Sequence, residues 1–302
     1  MELNTATSIL KKYWGYDSFR PLQGAIVQSV LDKKDTVVLL PTGGGKSLCF
    51  QVPALILDGL CIVISPLIAL MKDQVENLQK RGIKAAYINS EHSSTKQIEI
   101  LDNCEFGGVK LLYIAPERIQ SEAFQLRIRQ LNISLIAIDE AHCISQWGYD
   151  FRPSYLKINT IREICPTVPI IALTASATNE VLKDIQVRLA LNTPAVFKGS
   201  FARPNLVYVN RETETKKEVI LEIITRVPES GIVYVRNRKE TQNLAFWLRE
   251  QGISADHYHA GLGMSDRKNK QDFWTNNKTR IIVSTNAFGM GIDHSFRRVL
   301  FR

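Results

Sequence analysis

Five short apolar runs, mostly without polar alternation, constrain this chain most: Thr36–Leu40, Cys61–Ser65, Lys110–Ile114, Leu135–Ile138 and Ile170–Leu173. A strand with one wet face alternates apolar and polar residues. An uninterrupted run is expected where a parallel sheet is covered on both faces. Helical stretches lie between the runs. Leu67–Arg81, for example, carries Leu70, Met71, Val75 and Leu78 at helical spacing. Repeated strand–helix units predict a doubly wound α/β domain.

The pattern pauses over Asn192–Asn205, which holds Pro194, Gly199 and Pro204. It resumes with Leu206–Val209, Gly231–Val235, Ala255–His259, Arg280–Ser284 and Val299–Phe301. The expected organisation is one lobe over residues 1–199, a hinge near 200–206, and a second lobe of the same architecture over residues 200–302. That second lobe is short for a unit of its kind. Because the chain ends at Arg302, directly after an apolar run, the lobe is expected to be incomplete.

Composition excludes several classes. Apolar residues make up 45% of the chain, enough for real cores, but no run reaches the roughly 18 apolar residues that span a bilayer. The first residues, Met1–Leu10, lack the basic-then-apolar pattern of a secretory signal. Cys49, Cys61, Cys104, Cys143 and Cys165 are scattered, and none forms a C-x-x-C pair. Neither a disulfide framework nor a zinc site is expected, and a reducing cytoplasmic or nuclear address fits better than secretion. The net charge of +8 is uneven, +2 over residues 1–199 and +6 over residues 200–302. A polyanionic partner suits that asymmetry, and so does a plain basic surface.

The first run leads into Pro41-Thr42-Gly43-Gly44-Gly45-Lys46-Ser47, followed by an apolar, helix-like stretch. Consecutive glycines let successive N–H groups curl around an anion, and a following helix adds its positive end. In such a loop Lys46 reaches the β- and γ-phosphates and Ser47 holds Mg²⁺. The strict phosphate-loop pattern has glycine where this chain has Leu40. The fourth run delivers Asp139-Glu140-Ala141-His142. Asp139 is the candidate Mg²⁺ holder and Glu140 the candidate base for the attacking water. Acids at a strand end are often merely solvated; beside a Gly-Lys-Ser loop they gain a purpose.

Residues Gly43–Ser47 and Asp139–His142 together resemble superfamily 2 helicases. The resemblance implies two RecA-like lobes with ATP in the cleft between them. Trp14–Gln23 narrows it, since this stretch is similar to the N-terminal motif of RecQ helicases. That likeness implies that Tyr16 stacks on adenine, Arg20 packs against the base and Gln23 reads its edge. Residues His142–Pro153 resemble the aromatic-rich loop of the same family. Trp147, Tyr149 and Phe151 beside Arg152, in a Gly- and Pro-containing loop, suit stacking on unpaired bases. On spacing alone, a small aromatic cluster closing the lobe reads equally well. By the same resemblance Ser65 and Pro66 contact the DNA backbone, and Thr174, Ser176 and Thr178 couple hydrolysis to lobe movement. Arg238, His259, Gly261, Thr285 and Gly289 match second-lobe blocks that couple to DNA, and Asp293 faces the ATP cleft. Residues 115–118 and 200–205 also follow the family order.

The RecQ pattern continues beyond Arg302 with an arginine-bearing motif that these 302 residues do not contain. An arginine finger is worth about 10³–10⁵ in rate, so slow turnover is expected of this stretch alone. The resemblance implies an ATP-dependent 3′–5′ DNA helicase of repair and recombination, acting on single-stranded and branched DNA with ATP and Mg²⁺. Two alternatives stay open: an ATP- and nucleic-acid-binding module with little turnover, and an RNA helicase.

Overall fold

The computed structural model describes residues 2–89, 92–147, 151–202, 207, 209–288 and 298–301. The chain divides into two compact units, Met1–Pro204 and Asn205–Arg302.

The first unit opens with helices α1 (Glu2–Trp14) and α2 (Gln23–Leu31). Its seven strands are β1 (Thr36–Leu39), β2 (Leu60–Ile64), β3 (Ala85–Ile88), β4 (Leu111–Ile114), β5 (Ile133–Ile138), β6 (Ile170–Thr174) and β7 (Ala195–Lys198). They form one parallel sheet in the order β3-β4-β2-β5-β6-β1-β7. Helices α3 (Leu48–Ile56), α4 (Ile68–Lys80), α5 (Ser94–Glu105), α6 (Glu122–Ile128), α7 (Thr160–Ile164) and α8 (Asn179–Arg188) connect them.

Why the strands carry no polar face is visible in the core. Ile62 and Ile64 of β2 join the apolar cluster of Ile114, Ile138 and Ala172. Their neighbours Cys61 and Val63 join the opposite cluster with Phe50, Met71 and Leu173. Alternate residues therefore enter two separate cores, one per sheet face. Each buried Ile, Leu or Val contributes about 1.5–3 kcal/mol. Because every strand is parallel, the segments after the strands share one edge. There lie Leu40, Ser65, Asp139 and Ala175, and open α/β sheets bind ligands along that edge.

Two expectations need correcting. The pause over residues 192–205 contains β7, whose residues alternate half-buried and exposed and which pairs only with β1. The strand expected over 206–209 has Val207 and Val209 outside any ladder, 88% and 71% exposed. Leu206 and Tyr208 lie outside the described residues.

The second unit contains α9 (Lys216–Arg226), β8 (Ser230–Tyr234), α10 (Arg238–Glu250), β9 (Ala255–Tyr258), α11 (Met264–Thr275), β10 (Ile281–Ser284) and β11 (Arg298–Phe301). Its parallel sheet has the order β11-β8-β10-β9. Val233, Leu244, Leu248, Ile281 and Val283 pack on one side. Trp274, Tyr258, Ile282 and Phe288 pack on the other, with Trp274 Nε1 donating to the Gly231 carbonyl at 3.2 Å.

Candidate active site

The segment after β1 is a backbone nest. Gly43 and Gly45 have φ of 77° and 74°, the left-handed region that other residues enter at a cost. The Gly44 N–H donates to the Pro41 carbonyl at 2.9 Å, and Ser47 leads into α3. Thr42 is exposed, whereas Lys46 and Ser47 are half-buried. Lys46 Nζ donates to the Leu40 carbonyl at 3.4 Å, so its ammonium folds back over the loop.

The N-terminal motif closes onto this nest. Arg20 Nη1 donates to the Gly43 carbonyl at 2.7 Å. Gln23 is buried; its Nε2 donates to the Gly44 and Gly45 carbonyls at 3.2 Å each, and its Oε1 accepts from the Arg20 N–H at 2.9 Å. Two of the three residues expected to meet adenine, Arg20 and Gln23, are thus engaged with the phosphate loop. Tyr16 is 52% exposed. Leu22, between the two, has φ of 69°, a strained conformation for a branched residue that costs roughly 1–3 kcal/mol and is typical of functional turns.

Beyond the end of β5, the Asp139 N–H donates to the Ile64 carbonyl at 2.9 Å, and Asp139 Oδ1 accepts from the Glu140 N–H at 3.0 Å. Burial and the neighbouring Glu140 charge raise the Asp139 carboxyl to about 6, against the pull of nearby Lys46 and His142. Glu140 itself sits at φ 47°, ψ 44°, a second left-handed residue. Its Oε2 lies 3.3 Å from His142 Nδ1, which is also 2.8 Å from the Thr174 hydroxyl at the end of β6. That hydroxyl in turn accepts from the Ser176 N–H at 3.1 Å. Acid, imidazole, hydroxyl and backbone form one line from β5 to β6. Thr178 caps α8, its hydroxyl accepting from the Val181 N–H at 3.3 Å.

Trp147 is 79% exposed and Phe151 half-buried. Arg152 differs from Trp147, for its Nη1 donates to the Pro66 carbonyl at 2.9 Å and ties the aromatic loop to the Ser65-Pro66 segment. Ser65 is buried, and its hydroxyl has no partner among the described residues. Residues 148–150, including Tyr149, lie outside the described residues.

In the second unit the Arg238 guanidinium lies over Gly261, close enough that a β-carbon there would stand 2.7 Å from Nη1 and 3.3 Å from His259 Nδ1. His259 is buried, and neither ring nitrogen has a partner among the described residues. The Thr285 N–H donates to the Tyr258 carbonyl at 3.4 Å. Gly289 and Asp293 lie outside the described residues.

One residue with a direct part in this geometry escaped sequence reasoning. Tyr155, fully buried, donates its hydroxyl to the Asp139 carbonyl at 2.9 Å. Its signal was thin, one tyrosine after Arg152-Pro153.

Comparison with known proteins bears on this arrangement. The DEAD/DEAH box helicase family matches residues 20–185, and the helicase conserved C-terminal domain matches residues 215–301. The chain belongs to the DEAD/DEAH box helicases. Within that family its sequence is similar to those of RecQ helicases. It is 43% identical over 292 residues to the ATP-dependent DNA helicase RecQ of Pasteurella multocida, covering 96% of this chain and 46% of that protein. Against the Bacillus subtilis RecQ it is 44% identical over 296 residues, covering 97% and 50%. The chain spans about half the length of these curated relatives. Among solved structures, the DUF1998 helicase MrfA bound to DNA superposes with a TM-score of 0.73 at 19% identity, covering 98% of this chain and 46% of that one. At that identity the likeness speaks for the RecA-like fold of this DEAD/DEAH box chain. No described helix is long and apolar enough to cross a membrane.

Proposed function

We propose that this chain is the ATP-using part of a RecQ-type DNA helicase, coupling ATP hydrolysis to 3′–5′ movement on single-stranded DNA and to unwinding of branched repair intermediates. The observation that carries the reading is one of placement. The glycine nest follows β1 and Asp139 follows β5 on the same edge of the parallel sheet, flanking β6, so a loop for phosphate and an acid for its cation face one site. When bound, Mg²⁺ supplies charge neutralisation at the transferring phosphoryl group. Ser47 and Asp139 are the residues assigned to hold it. The fit is chemical, since a carboxylate short of water regains solvation beside a cation.

The chain's own groups have separate tasks in this reading. The nest N–H groups and Lys46 bind the phosphates, Tyr16 stacks on the base, and Arg20 and Gln23 hold the nest in shape. Glu140 accepts the proton of the attacking water while His142 fixes its carboxylate. Trp147 offers a stacking face to an unpaired base. Arg238, His259 and Gly261 line a candidate phosphate contact, and Gly289 and Asp293 are assigned by resemblance.

Titration with a fluorescent ATP analogue in Mg²⁺ tests the assignment. Lys46→Ala and Asp139→Ala are expected to weaken binding at least tenfold, about 1.4 kcal/mol. Glu140→Gln keeps affinity, because it removes a base and not a ligand. Wild-type affinity in both alanine variants would sink the assignment.

A further inference from the structure

The aromatic loop is joined to the paired acids by more than its covalent start. From Glu140 the Cys143 N–H donates back to the Glu140 carbonyl at 2.9 Å. The Arg152 N–H then donates to the Cys143 carbonyl at 2.9 Å, which brings the two ends of segment 144–151 together. The Tyr155 N–H donates to the Arg152 carbonyl at 2.9 Å, and the Tyr155 hydroxyl returns to the Asp139 carbonyl at 2.9 Å. Four hydrogen bonds and one peptide link close a circuit: Asp139, Glu140, Cys143, Arg152, Tyr155, Asp139.

We propose that Tyr155 is a positioning residue that carries the state of the aromatic loop to the Asp139–Glu140 pair. The inference rests on the function proposed above and names the part that links its two sites. Three features of the circuit support it. The returning bond ends on the peptide between Asp139 and Glu140, whose left-handed φ of 47° the surroundings must hold. Tyr155 is fully buried, so no solvent competes for its hydroxyl proton. Finally, Arg152 also grips the Pro66 carbonyl, and Pro66 follows the strand whose Ile64 carbonyl holds the Asp139 N–H. A shift of Arg152 when a base stacks on the loop is therefore delivered to Asp139 from both sides. A buried chain of this kind has few continuous adjustments open to it and favours discrete arrangements.

The test is a coupling measurement that needs no turnover. Affinity for a non-hydrolysable ATP analogue with Mg²⁺ is measured with and without saturating oligo-dT, and the reverse titration checks reciprocity. For the wild type the two ligands are expected to change each other's affinity at least about fivefold, within the usual allosteric range. Tyr155→Phe removes one hydroxyl and keeps the ring. Each separate affinity is expected to stay within about threefold, while the mutual effect falls below about twofold. Wild-type coupling in Tyr155→Phe would overturn the proposal. So would a parallel fall of both affinities with the melting temperature, which marks a strut and nothing more. A wild type that binds both ligands independently overturns the proposal and leaves the helicase reading standing. A wild type that binds neither removes that reading as well.

Discussion

Gln23 and Gly45 share one volume. A β-carbon on Gly45 would meet Gln23 Nε2 well inside contact distance, and the same Nε2 donates to the Gly45 carbonyl at 3.2 Å. Gly45→Ala therefore suffers twice, from a φ of 74° and from displacement of Gln23. The backbone share alone is about 1–3 kcal/mol. ATP-analogue affinity is expected to fall at least tenfold, about 1.4 kcal/mol. Adding Gln23→Ala to Gly45→Ala removes the clash, so the double variant is expected to be better than the sum of the singles by at least about 0.5 kcal/mol. Strict additivity would show that the two side chains do not compete.

Asp139 makes a stability prediction with a definite sign. Its carboxyl titrates near 6 in the folded chain, against an ordinary 3.8. Between those values the folded state binds the extra proton, so stability falls as pH rises from 4 to 6 and stays reduced above. Asp139→Asn removes the half-buried charge. It is expected to be more stable than wild type at pH 7.5 by about 1–3 kcal/mol, with the difference shrinking towards pH 4. Urea unfolding at both pH values decides it, and a less stable Asn variant at pH 7.5 contradicts it.

That trade of stability for function is one reason part of the site was legible beforehand and part was not. Gly43–Ser47 and Asp139–His142 stand out because phosphate and cation chemistry demands few residue types at set places after strands. The buried runs were legible too, since Ile62 and Val63 feed opposite cores and leave no room for polar alternation. The strand Ala195–Lys198 was not, because an edge strand with alternating exposure looks like the Pro- and Gly-containing stretch around it. Nor were the left-handed Leu22 and Glu140, which local propensity disfavours and tertiary contacts impose. Tyr155 is the clearest case, since no local pattern states which carbonyl a distant hydroxyl will reach.

Asp35 is a buried acid with a structural role. Its two oxygens take Arg162 Nη2 at 2.9 and 2.8 Å, the Ile170 N–H at 2.8 Å and the Asn192 N–H at 2.7 Å. It thus fastens the start of β6 and the approach to β7 onto the turn before β1. Asp35→Ala strands a half-buried guanidinium and two N–H groups together, and is expected to cost about 3–5 kcal/mol. Urea unfolding of the variant checks this, and a loss below about 1 kcal/mol would mean that water replaces the carboxylate easily.

Trp147 separates stacking from packing. Its ring is 79% exposed, and its N–H donates to the Ser145 hydroxyl at 3.2 Å. So exposed a side chain contributes little to the core, and Trp147→Ala is expected to change stability by less than about 0.5 kcal/mol. A packing residue would lose several times that. Loss of one stacked base is worth about 1–3 kcal/mol, so single-stranded DNA affinity is expected to fall roughly 5- to 150-fold. Salt distinguishes the stacking share from phosphate contacts. Affinity of both proteins falls with ionic strength, but their ratio is expected to hold, because stacking releases no counterions. The binding can be read from Trp147 emission, provided the other indoles are silenced. Trp274 is fully buried and Trp14 and Trp247 are half-buried, so Trp14→Phe and Trp247→Phe come first, and Trp274, whose Nε1 holds the Gly231 carbonyl, is left in place as a constant background. A Trp147→Ala protein with normal DNA affinity and a lowered melting temperature would assign the ring to packing.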